Sequence, residues 1–228
     1  LKPAISLLVC LLLTAAAWSQ SDSAALDHVL DQMDSAAKTF HTAQANFTVE
    51  IFDPVLKEIT DTQNGKISFQ RHGKEVEMAS DFAEPKQFAL YTNGKAQVYN
   101  PRTDTVNEYK ADKNRAQLEA FLLLGFGGGG HDLLTTYNVK YQSSEAMGGV
   151  TAAKLELTPK SQELRNNIAR ILLWIDLPRG VSVQQQMFFA DGGNRLAKYS
   201  DIHINQKLPE GTFKLKTTGK TKFISPQS

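Results

Sequence analysis

The sequence predicts a mainly β (α+β) protein: an unclosed antiparallel β-barrel of about eleven strands, with helices forming a lid over an apolar concave face. Three observations carry this. From Gln44 the hydrophobic period is two rather than 3.6, turn pairs such as Asn64-Gly65 and Asn93-Gly94 separate the runs, and no strand–helix–strand alternation intervenes. An antiparallel sheet of that extent exposes unpaired edges unless it curls towards closure, and helices on one face bury its apolar side.

The chain opens LKPAISLLVCLLLTAAAWSQS. Lys2, the apolar run Ala4–Leu13 and the small-residue pattern Ala15-x-Ala17 read as a secretory signal peptide over residues 1–17, with cleavage near Ala17. The apolar run is too short to span a bilayer. Residues 18–228 then form a single exported domain without a thiol, because Cys10, the one cysteine, falls in the leader. That suits an oxidising compartment, and the expected location is the periplasm.

Asp22–His41 has a helical stripe of Leu26, Val29, Leu30, Met33, Ala37 and Phe40. Six short strands follow: from Gln44 through Phe47, Val49 and Ile51; Gly65–Arg71; Glu75–Phe82; Lys86–Thr92; Lys95–Tyr99; and Thr105–Tyr109. Helical spacing returns over Asn114–Leu124 through Leu118, Phe121 and Leu122, and runs into Gly125-Phe126-Gly127-Gly128-Gly129-Gly130. A short helical turn is expected over His131–Tyr137. Strands resume at Asn138–Ser143, Thr151–Thr158, Ile168–Leu177, Val181–Ala190 and Asn194–Ile204, then a short one at Leu208–Phe213. A polar, basic tail starts at about Lys214.

The chain has 228 residues with 25 Lys+Arg against 24 Asp+Glu, a balance that argues against a nucleic-acid binder, which needs a clustered basic excess. No Gly-x-Ser-x-Gly elbow is present, and the histidines (28, 41, 72, 131 and 203) lack ligand spacing. No catalytic role, metal or cofactor is therefore expected. Gly125-x-Gly127-x-x-Gly130 matches the dinucleotide fingerprint in letters only, because a helical pattern precedes it where a strand is needed. It reads as a hinge.

The apolar faces suit an apolar ligand if the trough is open, or a packed core if it is shut; the pattern fits both. Its expected lining is Phe47, Val49, Phe69, Met78, Phe88 and Leu90, lidded by Leu26, Leu30, Met33, Phe121 and Leu122. Arg71 is in phase with Ile67 and Phe69, so it either turns towards the covering helices or frays into water. Ile171–Ile175 is apolar on both faces: either it is covered outside as well or Trp174 marks an exposed patch. The Lys214, Lys216, Lys220, Lys222 cluster suits an acidic partner, lipid headgroups or plain solvent.

Ala45-Asn46-Phe47-Thr48, Gly65-Lys66-Ile67-Ser68-Phe69-Gln70-Arg71, Asn93-Gly94-Lys95 with Val98-Tyr99-Asn100-Pro101, and Leu155-Glu156-Leu157-Thr158-Pro159-Lys160 resemble, in order and spacing, the periplasmic outer-membrane lipoprotein carrier (LolA-like) family. The resemblance spans the whole mature chain. It implies a carrier that binds the acyl chains of lipoproteins in a hydrophobic cavity. Such a carrier takes this cargo from an inner-membrane ABC-type lipoprotein-release complex and passes it to an outer-membrane acceptor. It also implies a monomer that binds no nucleic acid, with Arg71 matching the arginine that latches the lid. Arg71-His72-Gly73 departs from the family's usual Arg-Pro-Gly. A carrier of another lipid and a periplasmic lipid- or protein-sensing regulatory domain are the alternatives.

Overall fold

The computed structural model describes residues 13–73, 75–110, 119 and 122–225, with the side chains of the first helix described from Ser23. Helix α1 (Leu13–Thr39) leads into β1 (Thr42–Asp53), β2 (Glu58–His72), β3 (Glu75–Phe82), β4 (Gln87–Thr92), β5 (Lys95–Asn100) and β6 (Thr105–Lys110). A crossing segment and the short α2 (Leu133–Thr136) reach β7 (Tyr137–Met147) and β8 (Val150–Pro159). Then come α3 (Gln162–Arg165), β9 (Ile168–Asp176), β10 (Val181–Phe189), β11 (Asn194–Ile204) and β12 (Lys222–Ile224).

All twelve strands lie in one sheet, ordered β12-β6-β5-β4-β3-β2-β1-β11-β10-β9-β8-β7. Every pairing is antiparallel except β12 on β6. The chain thus begins in the middle of the sheet, meanders to one edge, crosses to the other, and returns until β11 closes on β1. Because β7 stays unpaired with the opposite edge, the sheet is unclosed, as the strand pattern predicts. The part of the β6–β7 connection described from Leu122 lies on a face of the sheet and includes the glycine run.

Alternation assigns the two faces. Ala43 stands opposite Phe69, Phe69 opposite Met78, and Met78 opposite Tyr91, all on the face that α1 covers, here the inner face. The α1 side chains Val29, Leu30 and Met33 are buried there against Leu155 and Leu157 of β8 and Ile171, Leu173 and Ile175 of β9. Each such side chain contributes about 1.5–3 kcal/mol by leaving water. A smaller cluster of Phe40, Ala43, Phe69 and Phe126 lies over β1 and β2. Asn205, just past β11, caps the end of α1: its Nδ2 donates to the Thr39 carbonyl and its Oδ1 accepts from the His41 amide, both at 2.8 Å.

Several expectations need correcting. Helix α1 begins at Leu13, well ahead of Asp22, while residues 1–12 of the expected leader lie outside the described residues. Most of Asn114–Leu124 is likewise outside them; Glu119 and Leu122 are helical. Leu208–Phe213 forms no strand, and the basic tail instead supplies β12, the twelfth strand. Its Thr218 and Thr221 hydroxyls both donate to the Asp104 carboxylate, which fixes the tail against β6. The double-sided β9 is covered outside as well: the Trp174 Nε1 donates to Glu145 at 2.7 Å, and the Lys154 ammonium lies 4.8 Å from its ring centre.

Candidate functional site

The inner face over β1–β3 is filled by one side chain from the glycine run. Phe126, 1% exposed, stacks on Phe69 with ring centres 5.1 Å apart and meets Tyr199 edge-on at 4.9 Å. Burial raises the Tyr199 phenol above its ordinary value, and its hydroxyl donates to the Gln185 side-chain oxygen. Three polar contacts around Phe126 seat it. The Ser182 amide donates to the Gly125 carbonyl at 2.7 Å, the Gln185 side-chain amide to the Leu124 carbonyl, and the Arg71 Nη2 to the Gly127 carbonyl at 2.6 Å.

The glycines serve close packing here. Gly127 has φ +77°, and a Cβ on it would overlap the Phe40 ring; a Cβ on Gly130 would overlap the Leu30 carbonyl. The run expected as a hinge is thus pressed onto α1, with its one large side chain driven into the sheet.

Arg71 lies on the inner face, half-buried. Besides Gly127 its Nη1 reaches the Ala37 carbonyl of α1 at 3.3 Å, and the guanidinium sits 5.5 Å from the Phe40 ring centre. Burial pulls its pKa down, opposed by the carboxylate of Asp132. One cation from β2 therefore joins both parts of the lid through backbone carbonyls. A cavity of about 380 Å³ opens beside it, lined by Met33, Ala37, Leu123, Leu124, Leu133 and Tyr137 with Asp34, Lys38 and Asp132.

A second tie joins α1 to the run. His131 Nδ1 lies 2.6 Å from Asp34 Oδ2, and the His131 amide donates to Asp34 Oδ1 at 3.2 Å. The bond to Asp34 raises the imidazole's pKa; burial alone would raise that of Asp34, but the hydrogen bonds from His131 bring it below the usual carboxylate range. Asp31, Asp34 and His131 have ligand atoms within 4.8 Å of one another, an association no spacing in the sequence shows.

Of the expected lining, Leu30 and Met33 are buried against β8 and β9, and Leu26 packs at the edge of that core. Phe47 faces inward with its ring edge-on to Phe82 at 5.2 Å, and Val49 lies further along the same face, half-buried. Phe69 and Met78 belong to the Phe126 cluster, and Leu122 is half-buried at the start of the run. Phe121 lies outside the described residues. Phe88 and Leu90 are corrections: Phe88 pairs with Asp81 and Leu90 with Ala79, which puts both on the outer face. Tyr91, not Leu90, points inward, and its hydroxyl donates to Glu119 of the crossing segment at 2.8 Å. Parity misled there because β4 is apolar on both faces.

Sheet and lid together define an unclosed antiparallel barrel whose inner face is filled by its own helix and loop. No protein-family model matches the sequence, and no curated protein matches it. Among solved structures, an uncharacterized conserved protein from Thermus thermophilus is similar at TM-score 0.56 and 10% identity, over 87% of this chain and 98% of that one. The MucA/MucB complex of Pseudomonas aeruginosa contains a chain similar at TM-score 0.51 and 14% identity, over 83% of this chain but only 60% of that one. A LolA superfamily protein from Nitrosomonas europaea matches at TM-score 0.41 and 14% identity, over 82% and 96%. At these identities the likeness is one of fold. Among the described residues no helix is long and apolar enough to cross a membrane.

Proposed function

We propose that this protein is a periplasmic carrier that binds the acyl chains of lipoproteins on the inner face of the sheet, displacing Phe126 and the adjoining lid, and moves them from inner to outer membrane. The observation that carries the reading is Arg71. It donates to one carbonyl of α1 and one of the glycine run, so both parts of the lid hang on hydrogen bonds that can exchange with water when the lid releases.

The energetics fit reversible transfer. Each acyl methylene withdrawn from water gains about 0.8 kcal/mol. Opening the lid exposes Phe126 and Phe69 and breaks the Arg71 bonds, so net affinity is the difference between two apolar burials. Cargo is then held, yet still leaves for a competing bilayer or acceptor. The cavity of about 380 Å³ beside Arg71 gives the first methylenes a place to enter. An inner-membrane release complex as donor and an outer-membrane acceptor complete the path.

The test is native mass spectrometry of the purified protein with a triacylated lipopeptide. The carrier reading expects a one-to-one adduct whose release slows in Arg71→Leu. Co-purification of a glycolipid or another lipid instead makes the protein a carrier of that class. No acyl uptake with a stably bound protein makes it a sensing domain; MucB, similar in fold, has a structure in complex with MucA.

A further inference from the structure

The outer face of the sheet holds a second, larger cavity, of about 480 Å³. The chain after β11 makes it. Asn205 ties this segment down at one end, through its backbone amide to the Thr42 carbonyl at 2.8 Å; Asp104 and β12 tie it at the other. Between the two ties, residues 207–217 join no strand; among the described residues their backbone amides hydrogen bond only within the segment, Thr212 to Pro209 and Lys214 to Gly211. A strap fixed at both ends but unpaired in the middle spans the sheet without sealing onto it.

The floor beneath the strap is largely apolar: Ala79, Phe88 and Tyr99, with Ala79 and Tyr99 buried, beside Gln87 and a Gln44–Ser68 side-chain pair that is hydrogen-bonded to itself at 3.1 Å. The rim is basic. Lys66 and Lys86 stand on the sheet side, Lys214 and Lys216 on the strap. Asp81 pairs with Lys86 at 2.5 Å, but among the described residues no ion pair uses Lys66, Lys214 or Lys216. Glu210 is the other acidic residue on this rim. Three such lysines against Glu210 leave the rim net positive, which attracts an anion while the anion's apolar part covers the floor.

We infer that this outer groove is a binding site for a single-chain anionic amphiphile, its chain over Phe88 and Tyr99 and its headgroup among Lys66, Lys214 and Lys216. The site lies on the face opposite the lid and does not rest on the carrier reading. Lysines present point charges without a fixed fork, so carboxylate and phosphate headgroups are both accommodated.

Isothermal titration of the full chain with decanoate and with decyl phosphate tests this, with decanol as the neutral control. The expected result is saturable one-to-one binding of at least one anion, at least tenfold tighter than decanol and weakened by added salt. The triple Lys66→Glu, Lys214→Glu, Lys216→Glu loses at least tenfold, and the milder Lys→Gln triple shifts the same way. Absence of saturable binding by either anion, equal affinity for decanol, or binding untouched by both lysine triples would overturn the assignment.

Discussion

Over β7–β9 the sheet is covered by a dry core, in which Val29, Leu30 and Met33 interlock with Leu155, Leu157, Ile171, Leu173 and Ile175. Over β1–β3 the covering is of another kind: Phe40 from the end of α1, one phenylalanine on a glycine run with two ring contacts, and a guanidinium bonded to two carbonyls. The first half gains its stability from tightly packed aliphatic volume that opens only with the fold. The second is held by contacts that water or a ligand can replace. On the proposed carrier reading, opening therefore belongs to the Arg71 half, with the β7–β9 half as the fixed wall.

Substitutions sharpen that contrast. Leu173→Ala, in the fixed wall, has the largest effect, a loss of about 2–5 kcal/mol in global stability by urea denaturation. Phe126→Ala lowers global stability less, because its loop can lift away. Its signature is local: the inner face binds an apolar fluorescent dye that the parent excludes. If Phe126→Ala costs as much as Leu173→Ala, the two halves are one cooperative core and the comparison fails.

Arg71→Leu comes next. Hydrogen bonds from a charged group are worth about 1.5–3 kcal/mol. Losing them favours the open lid and tightens acyl-peptide affinity by about ten- to a hundredfold, with the fold intact by circular dichroism.

The smallest effect is the pH dependence of the His131–Asp34 tie. The raised pKa of His131 makes its contribution complete below the unfolded value near about 6.5, and that contribution is lost as pH rises through the folded pKa. The lowered pKa of Asp34 makes its contribution complete above about 3.8, lost as pH falls through the folded value. Between those limits the lid is held best, so acyl-peptide affinity rises modestly from pH 6 to pH 9 in the parent. In Asp34→Asn it stays flat.

The sheet was legible because turn pairs and alternation are local signals, whereas the phase of Arg71 with Ile67 and Phe69 left two placements open, inward or frayed into water, and only the packing of α1 and the glycine run onto β2 distinguishes them. Parity failed at β4, where Leu90 and Tyr91 are both apolar and both buried, and only the register with Ala79 and Met78 says which faces the lid. It failed because β4 is apolar on both faces, and the tail after β11, which passes over Phe88 on the outer face, is rich in lysine and looks like solvent. Phe126 was hidden for a different reason: a lone aromatic among glycines has no period, though its isolation marks a side chain placed by its backbone. The His131–Asp34 tie joins residues 97 positions apart, and no spacing rule reaches that far.

The central claim is that acyl cargo displaces Phe126 from the inner face. Hydrogen exchange at the Ser182 amide, which donates to the Gly125 carbonyl, reads that displacement directly. The account predicts that a triacylated peptide speeds exchange at Ser182 and Phe126 while amides of β8 and β9 keep their protection. Bound peptide with unchanged exchange at Ser182 and Phe126 would contradict it.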